Sequence, residues 1–236
     1  MQGKGKMTWA TSRGKKNIYK GQFLANVFHG SGILNLANGD YYQGQFENGK
    51  FSGEGYYKWI SQPRLYYKGE FKNGKLHGTG TLQNMNGVFQ GQFKKGFLDG
   101  KVIINFQFGD KYIGEYQESA MTGYGSYTFN DGTKITGYFE NGVFNKHGKK
   151  VYPDGRIYIG EFRNDIENGK GVLIWGERKI SGIWKDAQLV QELIQQSVNN
   201  NSKSEEKALS LLMENRPDSV AKSMGIDVLD VSKLNA

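Results

Sequence analysis

One five-residue pattern, aromatic-x-Gly-x-aromatic, recurs along this chain and limits the folds open to it more than any other feature. It reads Tyr19-Lys-Gly21-Gln-Phe23, Tyr42-Gln-Gly44-Gln-Phe46, Tyr67-Lys-Gly69-Glu-Phe71, Phe89-Gln-Gly91-Gln-Phe93 and Tyr112-Ile-Gly114-Glu-Tyr116. Ile135-Thr-Gly137-Tyr-Phe139 lacks the first aromatic, Tyr158-Ile-Gly160-Glu-Phe162 restores it, and Ile180-Ser-Gly182-Ile-Trp184 closes the series. The starts lie 23, 25, 22, 23, 23, 23 and 22 residues apart. That gives seven complete repeats and a truncated eighth, with Gly3-Lys-Gly5, Met7, Trp9 and Gly14 reading as the back half of an earlier one.

Each repeat carries two turn signals. Five residues after the motif glycine stand Asn26, Gly49, Gly74, Gly96, Ser119, Gly142 and Asp165, and all but Ser119 tolerate a left-handed backbone. Asn48-Gly49, Asn73-Gly74 and Asn141-Gly142 are two-residue hairpin sequences. Paired glycines follow (Gly30/Gly32, Gly53/Gly55, Gly78/Gly80, Gly123/Gly125, Gly169/Gly171), then a second turn at Asn38-Gly39, Asn86-Gly87, Asp131-Gly132 or Asp154-Gly155. The spacing predicts a meander of short antiparallel strands. Tyr19, Gly21 and Phe23 share one face by strand parity, as do Gly30, Gly32, Leu34 and Leu36 on the return strand. The Leu36 slot becomes Trp59, Asn84, Phe106, Phe129, Tyr152 and Trp175 in later repeats. A glycine between two aromatics leaves room for a neighbouring ring over the backbone, and each ring buries roughly 150–250 Å². The expected fold is therefore all-β: an elongated single-layer antiparallel sheet, a solenoid of β-hairpins whose stability adds up repeat by repeat.

Composition sets the boundary of this sheet. Of 34 glycines, 33 lie in residues 1–184, and so do all of the Phe, Tyr and Trp residues. Residues 1–184 carry 25 basic and 15 acidic side chains, whereas residues 185–236 carry 6 and 8. Two segments follow: a repeat sheet over 1–184 and a tail over 185–236. Cysteine is absent, which removes disulfide staples and thiol chemistry. No apolar run approaches the ~18 residues of a membrane span, and the first twenty residues hold no apolar signal core. Those residues also lack acids, a feature shared with mitochondrial import sequences, but their glycines already fit the repeat.

The extended pattern Tyr-x-Gly-x-Phe-x-x-Gly-x-x-x-Gly-x-Gly resembles the MORN repeat (membrane occupation and recognition nexus). Tyr67-Lys-Gly-Glu-Phe-Lys-Asn-Gly-Lys-Leu-His-Gly-Thr-Gly80 fits it at every marked position. Val102 and Lys146 depart from it in place of glycine, and repeat two carries an insertion, Ile60 to Leu65, that should bulge from one edge. The resemblance implies a binding rod. Relatives made mostly of repeats include radial-spoke head proteins of cilia and cytoskeletal scaffolds of protists. By that likeness the chain is expected to be a non-enzymatic scaffold in the cytoplasm or cytoskeleton, with a ciliary axoneme as one setting. Its expected partners are other protein subunits, with self-association open and no nucleic acid. The alternative is a peripheral membrane adaptor that meets anionic phospholipid through a basic repeat face.

No reaction or cofactor is indicated. Gly44-Gln-Phe-Glu-Asn-Gly49-Lys50 approaches a phosphate-binding loop, but Phe51 stands where Ser or Thr is needed and no helix follows. His29 and His77 share one repeat slot, and with His147 they form no metal-ligand spacing. Glu70, Glu115 and Glu161 also share a slot and read as a solvated charged face. The lysines read as distributed rather than clustered. The expected interface consists of exposed ladder aromatics, Tyr42, Tyr67, Tyr112 and Tyr158, with Trp59 and Trp175. In the tail, apolar spacing predicts an amphipathic helix over 186–198 capping the last strand. A capping box at Ser202–Glu205 opens a second helix, and Pro217 starts a third that ends at Gly225. Leu211, Leu212, Val220 and Met224 are the tail residues expected to dock on a partner.

Overall fold

The computed structural model describes residues 2–193, and these form seventeen β-strands and no helix. They fall into two compact units that divide between Phe108 and Gly109. The first holds β1 (Gly3–Ala10), β2 (Lys16–Leu24), β3 (Val27–Asn35), β4 (Tyr41–Glu47), β5 (Lys50–Lys58), β6 (Tyr66–Lys72), β7 (Lys75–Asn84), β8 (Gly87–Lys94) and β9 (Phe97–Phe106). The second holds β10 (Lys111–Gln117), β11 (Ala120–Thr128), β12 (Lys134–Glu140), β13 (Val143–Val151), β14 (Ile157–Arg163), β15 (Ile166–Trp175), β16 (Arg178–Lys185) and β17 (Gln188–Glu192). Within each unit every strand pairs antiparallel with the next, so each is an open single-layer meander. Strand β1 pairs with β2 from Gly3↔Phe23 to Ala10↔Lys16, as the back half of a preceding repeat should.

The hairpin turns take the conformation that the sequence calls for. Asn48 and Gly49 have φ of 49° and 78°, and Asn141 and Gly142 have 51° and 84°. Positive φ at both central residues matches the right-handed twist of the flanking strands. Ala25/Asn26, Glu118/Ser119 and Asp186/Ala187 adopt the same geometry without glycine, because register and packing fix it there. Each turn also leans on the one before. Gly49 N donates to Phe28 O, Gly74 N to Phe51 O and Gly96 N to Leu76 O, each at 2.9 Å.

Parity holds, with one refinement. Between the glycine pair and the hairpin, the return strand carries two extra residues. Gly21 faces Gly32, yet the adjacent Gln22 faces His29. This bulge lifts Gly30 and Ser31 out of register while preserving parity, so Phe28 joins Gly32 and Leu34 on the core face and Gly30 does not. Glycine at position 30 has φ +58°, and a β-carbon there would overlap the Gln22 side-chain oxygen. Strands β1 to β16 run 7 to 10 residues, longer than the roughly six that the turn spacing suggests, and β17 runs 5.

The expected helix over 186–198 is not what the chain forms through residue 193. Gln188–Glu192 is strand β17, paired with β16 from Gly182↔Glu192 to Lys185↔Gln188. Asp186 and Ala187 make one more hairpin turn, and Leu189 lies over Gly182 as the phenol rings lie over earlier glycines. The repeat geometry overrides a helical spacing that no tertiary contact supports. The remainder of that span, the two later expected helices, and Leu211, Leu212, Val220 and Met224 lie outside the described residues.

Candidate interaction surfaces

Tyr42, Tyr67, Tyr112 and Tyr158 are 0% exposed, so they are core residues and not interface residues. The reason lies in the glycine lane. Each ring lies flat on the facing glycine pair, and its hydroxyl turns back to the carbonyl of the residue three positions on. Tyr42 donates to Gln45 O at 2.8 Å, Tyr67 to Glu70 O at 3.0 Å and Tyr112 to Glu115 O at 3.0 Å. That carbonyl belongs to the residue beside the bulge, which explains why tyrosine rather than phenylalanine dominates the slot. Burial is the main cause that raises the pKa of these phenols.

The rings form a continuous edge-to-face ladder inside each unit. Tyr19 stacks on Phe28 at 3.9 Å and meets Phe46 of the next repeat edge-on at 5.0 Å. Tyr42 repeats this with Phe51 and Phe71, and Tyr158 ends the series on Trp184 at 5.2 Å. Such pairs contribute roughly 0.5–1.5 kcal/mol each beyond burial. The two departures from glycine change the ladder locally. Val102 is fully buried opposite Gly91, and Phe89 turns instead to Phe106 at 6.3 Å. In repeat six the fully buried Phe144 ring covers Gly137 and Gly148, in place of the phenol that Ile135 cannot supply.

Most of the acidic residues are structural. Glu70, Glu115 and Glu161 keep their carboxylates at the solvent face, and Glu70 adds a structural contact there: its Oε1 accepts the bulge amide of Thr79 at 2.7 Å, as Gln22 Oε1 accepts Ser31 N at 2.9 Å. Asp40 is buried and ties two repeats together, accepting from Ile60 N at 2.9 Å and Tyr57 Oη at 3.0 Å. Asp110 does the same with Asn130 N at 2.8 Å and Tyr127 Oη at 2.5 Å. Glu167 replaces an apolar ladder residue, is 2% exposed, and lies 2.8 Å from Lys150 Nζ. Among the described residues no group of three or more His, Asp or Glu side chains converges as a metal site. His147 Nε2 stands 3.6 Å from Glu161 Oε1 on the exposed surface.

On the outer face of the first unit two rows carry no acid, next to a row that holds the facing pair Glu54 and Glu70. In the first unit one cross-strand row runs Lys6, Lys20, Ile33, Gln43, Tyr56, Lys68, Thr81, Gln90 and Ile103. The neighbouring row runs Thr8, Ile18, Asn35, Tyr41, Lys58, Tyr66, Gln83, Val88 and Asn105. Neither row contains an acid. Tyr41, Tyr56 and Tyr66 touch in sequence, with ring centroids 6.3 and 5.6 Å apart, and Lys58 and Lys68 flank them exposed. The lysines that read as distributed along the chain are thus gathered by the register. The turn edges hold further apolar groups: Trp175 is 60% exposed and Trp59 is half-buried against Tyr57 at 4.4 Å.

These features define a class: a linear-repeat β-protein whose interior is an aromatic ladder. The chain belongs to the MORN repeat family, whose model matches residues 1–12, 19–41, 42–62, 67–88, 89–101, 112–134, 136–155 and 158–177. Among solved structures it is similar to the TCP domain of SAS-4 (dCPAP) in complex with a proline-rich motif of Ana2 (dSTIL) of Drosophila melanogaster. That likeness has 14% identity over 76% of this chain and 90% of that one, with a TM-score of 0.33, and carries no functional argument.

Proposed function

We propose that this chain is a non-enzymatic scaffold that joins protein subunits of a larger assembly, and that its first unit receives an acidic segment of a partner on its outer face. The observation that carries this reading is the pair of acid-free rows with Tyr41, Tyr56 and Tyr66 between Lys58 and Lys68. Tyrosine gives large contact area with a polar tip and is enriched at binding hot spots, while unopposed lysines speed encounter with a negative partner. MORN-repeat membership supports an interaction role of this kind. A cytoskeletal assembly, with an axoneme or radial spoke as one instance, is the proposed setting.

The same lysines would meet anionic headgroups if the chain were a membrane adaptor. In-cell cross-linking followed by mass spectrometry on the wild type and on Lys58→Glu/Lys68→Glu separates the two. The scaffold reading expects cross-links from this face to acidic peptides of one or a few proteins, lost in the variant. Salt-sensitive flotation with phosphatidylserine vesicles, lost in the same variant without any protein cross-link, would replace it with the membrane reading.

A further inference from the structure

The outer face of the second unit differs from that of the first. Its rows are also free of acids, but they concentrate β-branched aliphatics on three adjacent strands: Val151 on β13, Ile157 and Ile159 on β14, Val172 and Ile174 on β15. Each of these is only partly covered. The first unit has Tyr, Gln, Asn and Lys at most equivalent positions. An aliphatic sheet face is normally buried under a second layer, and a helix or extended segment is the usual cover. Lys134, Lys149 and Lys179 rim the patch.

The chain itself leads onto this face. Leu193, the last described residue, donates its amide to Ser181 O at 2.7 Å. Ser181 continues the outer row that runs Lys149, Ile159 and Val172, so strand parity sets Leu193 at the end of that row. The 43 residues that follow contain no aromatic, and they carry Leu209, Leu211, Leu212, Met213, Val220 and Met224 together with six acidic and five basic residues. At about 1.5 Å per helical residue, ten residues span the roughly 14 Å across three strand spacings.

We propose that the C-terminal segment 194–236 folds back within the same molecule over the outer face of the second unit. Its aliphatic residues seat on Val151, Ile157, Ile159, Val172 and Ile174, and its carboxylates lie toward Lys134, Lys149 and Lys179. The cover turns the second unit into a two-layer structure and leaves the first unit's basic face as the open one.

Zero-length carbodiimide coupling of the full chain, with mass spectrometry of the monomer band, tests this directly. The expected products join Glu205, Glu206, Glu214 or Asp218 to Lys134, Lys149 or Lys179. Leu211→Asp/Leu212→Asp should reduce them to background while leaving the β-sheet circular dichroism unchanged, since strands β1 to β17 are built from residues 3–192. Ile159→Glu should do the same from the other side. Absence of these products in the monomer, coupling of the tail to first-unit lysines instead, or products that persist in both variants would overturn the proposal.

Discussion

The Tyr42 ring lies across Gly55 so closely that a β-carbon on Gly55 would stand 2.6 Å from the phenolic oxygen. The backbone at Gly55 is not in the left-handed region, so packing alone demands glycine there. Gly74 is the opposite case: its φ is +79° and nothing lies within 4 Å of an added β-carbon. Gly55→Ala should therefore cost about 1–3 kcal/mol through overpacking, and Gly74→Ala about 1–2 kcal/mol through the backbone alone. Near-ultraviolet circular dichroism during thermal unfolding distinguishes them. Gly55→Ala should alter the tyrosine signal of the folded state, and Gly74→Ala should lower the midpoint without altering it.

Lys146 and Tyr138 form a coupled departure from the repeat. Elsewhere a Gln or Glu side chain fills the space beside the bulge glycine, as Gln45 does at Gly53. Lys146 has φ +67° and its own β-carbon takes that space, which is tolerated because Tyr138 turns instead to Tyr124 at 5.4 Å. Tyr138→Gln alone should destabilise, and Lys146→Gly alone should change little. The double substitution should be more stable than the sum of the two by about 0.5–3 kcal/mol. Denaturant midpoints of the four proteins give the cycle, and additivity would contradict the coupling.

The fold was legible because its punctuation repeats. The 23-residue period, the hairpin glycines and the parity of Tyr19, Gly21 and Phe23 lead to an antiparallel meander without further information. What parity could not supply was which face is covered. Tyr42, Tyr67, Tyr112 and Tyr158 were expected outside because a single layer has two candidate faces, and the phenol face is the covered one because partner-strand rings stack on it, Phe28 on Tyr19 and Phe51 on Tyr42. The Lys58–Tyr66 neighbourhood was missed for a related reason: these residues are eight apart in sequence and meet only through the β5–β6 register. A reading that alternated faces from the buried tyrosine would have found it. The strand at Gln188–Glu192 was hidden because Leu189, Val190 and Leu193 fit helical spacing as well as they fit a strand.

Tyrosine titration reports the ladder. Burial raises the pKa of Tyr42, Tyr67, Tyr112 and Tyr158 above the ordinary value of 10.0. A raised phenol pKa favours the folded state at all pH below 10, and that contribution is lost as pH climbs through the folded value. Absorbance at 295 nm should therefore show a first ionising group of tyrosines near pH 10 and a second that ionises only together with loss of the β-sheet signal. A single smooth titration of all fourteen tyrosines near 10 would contradict the burial of the ladder.

Glu167 and Lys150 give the last and sharpest prediction. Glu167 holds the ladder slot that Phe28 and Phe51 hold in earlier repeats, and Lys150 faces Tyr158 where Leu34 faces Tyr42. Burial alone would raise the Glu167 pKa, but hydrogen bonds from Lys150 and Tyr152 outweigh it and hold the carboxyl below its ordinary 4.5. A depressed carboxyl pKa contributes stability that is present above about 4.5 and is lost as pH falls through the folded value. Removing one partner strands the other in an apolar ladder. Glu167→Leu should cost toward the lower end of about 3–5 kcal/mol, since the Lys150 side chain keeps 21% of its surface exposed and can turn partly to water. Lys150→Leu/Glu167→Leu should recover that loss and stand level with the wild type or up to about 4 kcal/mol above it at pH 7. Unfolding curves at pH 7 and pH 3.5 decide the matter. The double variant should lose less stability on acidification than the wild type does, and an equal loss in both would show that the Glu167 carboxylate is not the acid-sensitive group.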